Sequence, residues 1–390
     1  MRLGIDASNI RAGGGVTHLV ELLRAACPLE YGLDEVVVWG SDRTLKELPA
    51  RSWLKLVHEP LLDRAFPFRL YWQRTKLTKL AQKSCDILFV PGGSYNGHFR
   101  PFVSMSQNLL PFDNRERSRF GISLASVRYR LLGLSQARCF KRADGVIFLT
   151  KYAASVVMGQ VREISGEAAI IPHGIDQRFA CQPRPQKPLS FYSSEKPLEL
   201  LYVSIINVYK HQDRVAEALG LLRNEGLPVR LHLVGPAYSP MLQRLQTILR
   251  ELDPYGKFLN YQGPISYHDL PRVYHRSDMF VFASSCETIS ITLLEAMASG
   301  LPIACSNRGP MPEVLGDAGV YFDPENSLDI ARALRQLALS HEMRDRYAHA
   351  AYERAKVYCW DRCADETFRF IVKVAHKFNN KQGKAPCALS

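Results

Sequence analysis

The sequence has no long apolar run. No stretch approaches the roughly 20 hydrophobic residues of a membrane-spanning helix, and MRLGID at residues 1–6 already reads as a buried strand, so no signal peptide is expected. It has no cysteine framework either. Nine Cys are scattered through 390 residues, an odd count that points to free thiols in a reducing compartment. Cys359 and Cys363 lie near one another without a second Cys or His pair at zinc spacing, which argues against a metal site there. No G-x-G-x-x-G, no G-x-x-x-x-G-K and no D-x-D occurs. Acidic residues are nearly missing from one segment: residues 64–142 hold 15 Lys and Arg against three Asp and Glu.

The rest of the chain holds 35 of each sign, so the whole formal charge of +12 sits in that segment. A localised basic surface suits a polyanionic partner, an anionic membrane or a phosphate-bearing substrate, although a solvated helical face would have the same composition. Neutrality elsewhere and the lack of an RNA-binding aromatic signature argue against nucleic acid. At 46% hydrophobic and 23% charged residues the chain is too apolar to be disordered, and its length fits two or three domains.

Short apolar runs alternate with helix-length segments. Leu3–Ile5, Val36–Trp39, Ile87–Val90, Phe102–Met105, Val146–Leu149 and Ala169–Ile171 read as strands in the first half, with a periodic stretch at Thr17–Ala26. Four Pro mark a break over residues 181–198. The rhythm restarts with Leu200–Ile206, Val229–Val234, Phe258–Tyr261, Met279–Ala283, Ile303–Cys305 and Val320–Phe322. This alternation predicts an α/β protein of two doubly wound domains facing a cleft, residues 1–180 and 199–350. A helix over 351–376 and a polar tail over 377–390 follow.

Three features carry chemistry. Gly13, Gly14 and Gly15 lie between the first strand and the helix expected from Val16, where a glycine run lets backbone approach a ligand; an empty flexible loop would look the same. Lys210 stands just beyond the first strand of the second domain, where an ammonium could neutralise a leaving diphosphate, or could simply be a surface lysine. The run SSCETISITLLEAMASG, residues 284–300, places Glu287 before a helix and Glu295 within it. Between them Ser290, Ile291 and Thr292 could present N–H groups to a phosphate. Ordinary helix solvation would also explain two glutamates at this spacing.

That last run resembles the E-x7-E signature of retaining glycosyltransferases of family 4, which have the two-Rossmann GT-B fold. The segments LLEAMASGLPIACSNRGPMPEVLGDAGVYFDPEN at 293–326, IIPHGID at 170–176 and YCWDRCADE at 358–366 resemble further family motifs, the last opening a helix that crosses back onto the first domain. The resemblance implies that Glu295 binds the nucleotide ribose and Glu287 the transferred sugar. Lys210 and the amides of 289–292 would hold the diphosphate, and Gly13–Gly15 would close over the donor. Gln107, with Asn108, would line the sugar site. Two departures stand out. Ile205 occupies the place of the family's arginine before the lysine, and Glu287–Thr288–Ile289–Ser290 replaces E-G-F-G. The substitutions resemble a bacterial subgroup building O-antigen or other surface polysaccharide from mannosyl or rhamnosyl donors.

The implied activity is transfer of a hexosyl unit from a nucleotide diphosphate sugar, GDP-linked favoured, to a lipid-linked saccharide or polysaccharide, with retention and without a cofactor or divalent metal. Arg115, Arg117, Arg119, Arg128 and Arg130 interleave with apolar residues, which suits an interfacial helix on anionic lipid, or a rim that grips a pyrophosphate-linked acceptor. The enzyme is expected in the cytoplasm, peripheral on the cytoplasmic face of the inner membrane. A non-catalytic subunit of the same fold is the alternative left by the two departures. A dehydrogenase lacks its glycine fingerprint, and a periplasmic sugar-binding protein lacks an export signal.

Overall fold

A computed structural model describes residues 1–382. The chain divides into two units: Met1–Arg117, Gly121–Gly174 and the chain from Cys359 onward form the first, and Ser118–Phe120 with Ile175–Tyr358 form the second.

The first unit is built on a seven-stranded sheet with every pairing parallel: β1 (Arg2–Asp6), β2 (Glu35–Gly40), β3 (Leu54–His58), β4 (Ile87–Val90), β5 (Phe102–Ser106), β6 (Gly145–Phe148) and β7 (Glu167–Ile170), in the order β3-β2-β1-β4-β5-β6-β7. The central strands are continuous apolar runs, ILFV in β4 for example, because helices cover both faces of a parallel sheet. β3, LKLVH, is an edge strand with only intermediate and exposed positions, so it lacks the pattern that reveals its neighbours. The helices that matter below are α1 (Gly14–Ala25), α2 (Phe66–Trp72) and α3 (Leu124–Arg142).

The second unit repeats the plan with six parallel strands: β8 (Leu198–Val203), β9 (Val229–Val234), β10 (Leu259–Gly263), β11 (Met279–Phe282), β12 (Ile303–Ser306) and β13 (Val320–Phe322), in the order β10-β9-β8-β11-β12-β13. Helix α4 (Gln212–Asn224) follows β8 and α5 (Ile291–Ala298) follows β11. In each unit the strand order reverses beside the first strand, between β1 and β4 and between β8 and β11. The loops leaving those strands at their carboxyl ends are where doubly wound sheets bind ligands.

The last helix, α6 (Trp360–Lys381), belongs to the first unit and packs on α1. It buries Phe368, Ile371 and Val374, while its other face carries Arg369, Lys373 and Lys377. It runs past residue 376, so 377–381 are helical; the rest of the expected tail, with Cys387, lies beyond the described residues. The eight cysteines among the described residues are free thiols. No helix among the described residues is long and apolar enough to cross a membrane.

Candidate functional site

In the second unit the loops after β8 and β11 are joined. The Ser285 amide donates to the Tyr209 carbonyl at 2.9 Å, and the His211 ring bonds Ser285 Oγ through Nε2 at 2.9 Å. His211 takes a left-handed backbone conformation (φ 50°), which turns the chain into α4 and leaves Lys210 pointing back over the sheet. Tyr202 Oη donates to the Lys210 carbonyl at 2.6 Å from the buried end of β8. Lys210 is 7% exposed; its Nζ lies 5.4 Å from the Phe282 ring and forms an ion pair with Glu287 Oε1. Burial keeps this pair from being diluted by solvent, and the ammonium is one side-chain rotation from any anion entering beside Glu287.

Helix α5 starts where the motif suggests. Ser290 is its N-cap, accepting from the Leu293 amide at 3.3 Å, and helix geometry leaves the Ile291 and Thr292 amides without intrahelical acceptors. Ile289 and Ser290 are buried against the core, so the end of α5 is rigid where those amides emerge. Glu295 lies one turn on, 2% exposed, accepting from Tyr274 Oη at 2.9 Å. Burial pushes its carboxyl up to about 8, with Asp176 adding to the rise and the Tyr274 bond and Arg178 opposing it. Near neutral pH it is mainly a carboxylic acid, able both to donate to and to accept from a hydroxyl pair.

One residue of this unit escaped the sequence reading. Arg308, after β12, bonds Asp323 at 3.1 Å while its Nε is buried without a partner. The next residue, Gly309, backs onto Ser285 and Glu287: a side chain there would come within 3.9 Å of the Glu287 amide. SNRGP was legible only as part of a constant stretch, with nothing to mark the arginine.

In the first unit α1 begins at Gly14 rather than at Val16, because Gly13 (φ 67°) takes the capping position and Gly14 and Gly15 enter the first turn. Gly15 lies beside the Gln107 side chain: a Cβ there would sit 3.4 Å from Gln107 Oε1, an ordinary contact distance. Gln107 Nε2 lies 3.5 Å from His18 Nδ1, so the glycine turn, Gln107 and α1 meet at the carboxyl ends of β1 and β5. Behind them His18 stacks on His173, with Trp360 of α6 at 5.9 Å from the His18 ring.

The acceptor-side residues separate. The side chain of Asn108 accepts the Leu110 amide at 3.1 Å, which gives it a turn-forming task. Arg115 is exposed, and Arg117 donates to the Pro111 carbonyl at 3.0 Å. Arg119 groups with the second unit and pairs with Glu325 at 2.8 Å, so a carboxylate answers its charge. Arg128 and Arg130 are exposed on α3, where Leu124, Val127, Leu131 and Leu134 form an uncovered stripe at helical spacing.

Residues 186–354 match the family model described as "Glycosyl transferases group 1". Over 167 residues the chain is 33% identical to "O-antigen chain mannosyltransferase B" from Escherichia coli, a match covering 43% of this chain and 44% of that relative. The matched stretch thus spans less than half the relative's length. Sucrose-phosphate synthase from Thermosynechococcus elongatus superposes with a TM-score of 0.75 at 14% identity, covering 97% of this chain and 100% of that one. WaaG, a glycosyltransferase involved in lipopolysaccharide biosynthesis, gives 0.69 at 15% identity over 95% and 99%. With the two sheets described above, these likenesses define the fold class as GT-B. Residues 186–354 are therefore similar to the group 1 glycosyl transferases, and over that stretch the likeness drawn from the motifs is borne out.

Proposed function

We propose that the chain is a retaining hexosyltransferase that moves a mannosyl or rhamnosyl unit from a nucleotide diphosphate sugar, GDP-linked favoured, to a hydroxyl of a lipid-linked or polysaccharide acceptor in surface polysaccharide synthesis. The observation that carries this reading is the buried Lys210–Glu287 pair beside the free amides of α5, with Glu295 one turn inside. A diphosphate entering there meets an ammonium and two helix-end N–H groups, which supply its counter-charge without a divalent metal. Once Lys210 turns to phosphate, Glu287 is released to accept from sugar hydroxyls. Glu295 takes the ribose. Arg308 supplies the second cation that Ile205 does not.

The bond between the anomeric carbon and the diphosphate oxygen breaks through an oxocarbenium-like state. The acceptor oxygen forms its bond to that carbon on the same face, and its proton passes to the departing diphosphate. The protein's task is to position both substrates and stabilise the leaving charge. The exposed stripe on α3, flanked by Arg128, Arg130, Arg138 and Lys141, supports work at an anionic membrane surface. The relative's name, an O-antigen chain mannosyltransferase, supports the sugar class. The test is a panel of GDP- and UDP-sugars and dTDP-rhamnose on membranes carrying lipid-linked acceptors. Nucleotide diphosphate release with a mannosyl or rhamnosyl donor is expected. No release and no nucleotide binding would reject the reading.

A further inference from the structure

Arg69, on α2, reaches over the carboxyl end of β1. Its Nη1 lies 3.4 Å from the Ser8 carbonyl and 3.3 Å from Asn9 Oδ1, and its Nε is buried without a hydrogen-bond partner among the described residues. The loop it meets is rigid. Asp6, buried, accepts the Ser8 amide at 2.9 Å and Gln73 Nε2 at 2.7 Å, and Gln73 opens a π-turn after α2. Arg11, further along the same loop, is pinned by the carbonyls of Leu62, Asp63 and Arg64 at 3.1–3.4 Å. Arg128 approaches from α3, and burial together with these two neighbouring guanidiniums pushes Arg69 below the usual arginine value.

Three arginines gathered at the carboxyl end of a parallel sheet is a costly arrangement when nothing answers the charge. Among the described residues none of the three forms an ion pair with a carboxylate. The carboxylate within electrostatic reach of Arg11 is Asp63, already taken by His58 at 2.6 Å and by the Asp42 amide at 3.0 Å. Guanidiniums without a carboxylate partner, two of them held in place by backbone carbonyls, match the tetrahedral oxygens of a phosphoryl group. Exposed aromatic rings lie beside Arg69 on the same helix. Phe66, Phe68 and Tyr71 are 42–57% exposed on α2 itself, and Arg69 lies 5.5 Å over the Phe66 ring. Exposed rings add nothing for an inorganic ion, but they add contact area for a hydrocarbon chain attached to it.

We propose that Arg11, Arg69 and Arg128 bind the phosphate or diphosphate of a lipid-borne acceptor, whose chain lies along Phe66, Phe68 and Tyr71. This rests on the glycosyl-transfer reading only in calling the lipid an acceptor. The test is calorimetric titration of the full chain with farnesyl diphosphate, inorganic diphosphate and farnesol, and with GDP in parallel. Farnesyl diphosphate is expected to bind more tightly than inorganic diphosphate or farnesol. Arg69→Gln and Arg128→Gln should each weaken it about tenfold or more, with GDP affinity unchanged. Arg128 is exposed on a helix surface, so its variant separates a lost ligand contact from a lost fold. Unchanged farnesyl diphosphate affinity in both variants overturns the site, and inorganic diphosphate binding as tightly as the farnesyl ester overturns its lipid character. Arginine-dependent binding in a chain that transfers from no donor upholds the site while rejecting the transfer reading.

Discussion

His18 and His173 stack with their ring centroids 4.6 Å apart, both buried, and neither ring nitrogen of His173 has a hydrogen-bond partner among the described residues. Burial lowers the His18 pKa to about 4 and that of His173 well below 6.5, the second also because the first ring lies beside it. Between about pH 4 and the ordinary value of 6.5 the unfolded chain therefore holds more protons than the folded one, and stability falls as pH drops through that window. His18→Phe is expected to flatten the fall of the urea midpoint across that range. A variant with the same pH slope as the parent would show that the pair does not control it.

Glu295 behaves in the opposite sense. Its folded carboxyl keeps a proton up to about 8, while the unfolded one loses it near 4.5, so its contribution to stability declines as pH rises between those values. Glu295→Gln, which mimics the protonated acid, should remove that decline and hold nucleotide affinity within a few-fold near neutral pH. Glu295→Ala should weaken nucleotide binding about tenfold or more. Full affinity in the alanine variant would place the ribose elsewhere.

Lys210→Ala is expected to lower turnover roughly 10–1000-fold, as for the loss of one charged stabiliser of a leaving group. It also strands the Glu287 carboxylate, so Lys210→Ala combined with Glu287→Gln should cost less stability than the two single losses added together. Strict additivity in denaturant midpoints would mean that the two groups do not depend on one another. Arg308→Ala should raise the donor KM about tenfold, and an unaltered KM would remove it from the diphosphate site.

Most of the strands were legible because a parallel sheet buried on both faces demands continuous apolar runs, as in Ile87–Val90 and Met279–Phe282. Leu54–His58 was not, since an edge strand alternates too weakly to announce itself. Glu287, Ser290 and Glu295 could be placed from one local helix start. The Lys210–Glu287 pair could not: the two lie 77 residues apart and meet only because β8 and β11 are neighbours. Charge counting grouped Arg119 with Arg128, but Glu325, more than two hundred positions on, neutralises it. The helix expected from Val16 starts at Gly14, because Gly13 takes the capping position.

Binding to anionic vesicles should depend on both faces of α3. Leu124→Ser with Leu131→Ser, or Arg130, Arg138 and Lys141 changed to Glu, is expected to release the protein from vesicles containing phosphatidylglycerol without altering the thermal midpoint, since these side chains are exposed. Arg142 is left in place because it donates to the Gly97 carbonyl at 2.8 Å. Undiminished sedimentation with vesicles would exclude this helix as the contact.

Gly174 leaves no room for a side chain: a Cβ would lie 2.3 Å from the Trp360 amide nitrogen. Since backbone cannot yield as a side chain can, Gly174→Ala should destabilise the first unit by about 1–3 kcal/mol. Near-native melting of that variant would mean the two segments part readily.

The placement of α6 sets an order of assembly during synthesis. Residues 175–358 form one uninterrupted stretch and can fold as soon as they emerge from the ribosome. The strands of the first unit precede the second unit along the chain, yet that unit lacks Phe368, Ile371 and Val374 until α6 has been made, so its core stays open while the second unit is being made. Nascent chains stalled before Trp360 should therefore carry a protease-resistant second unit on a susceptible first one, and the unit made first would be the one finished last.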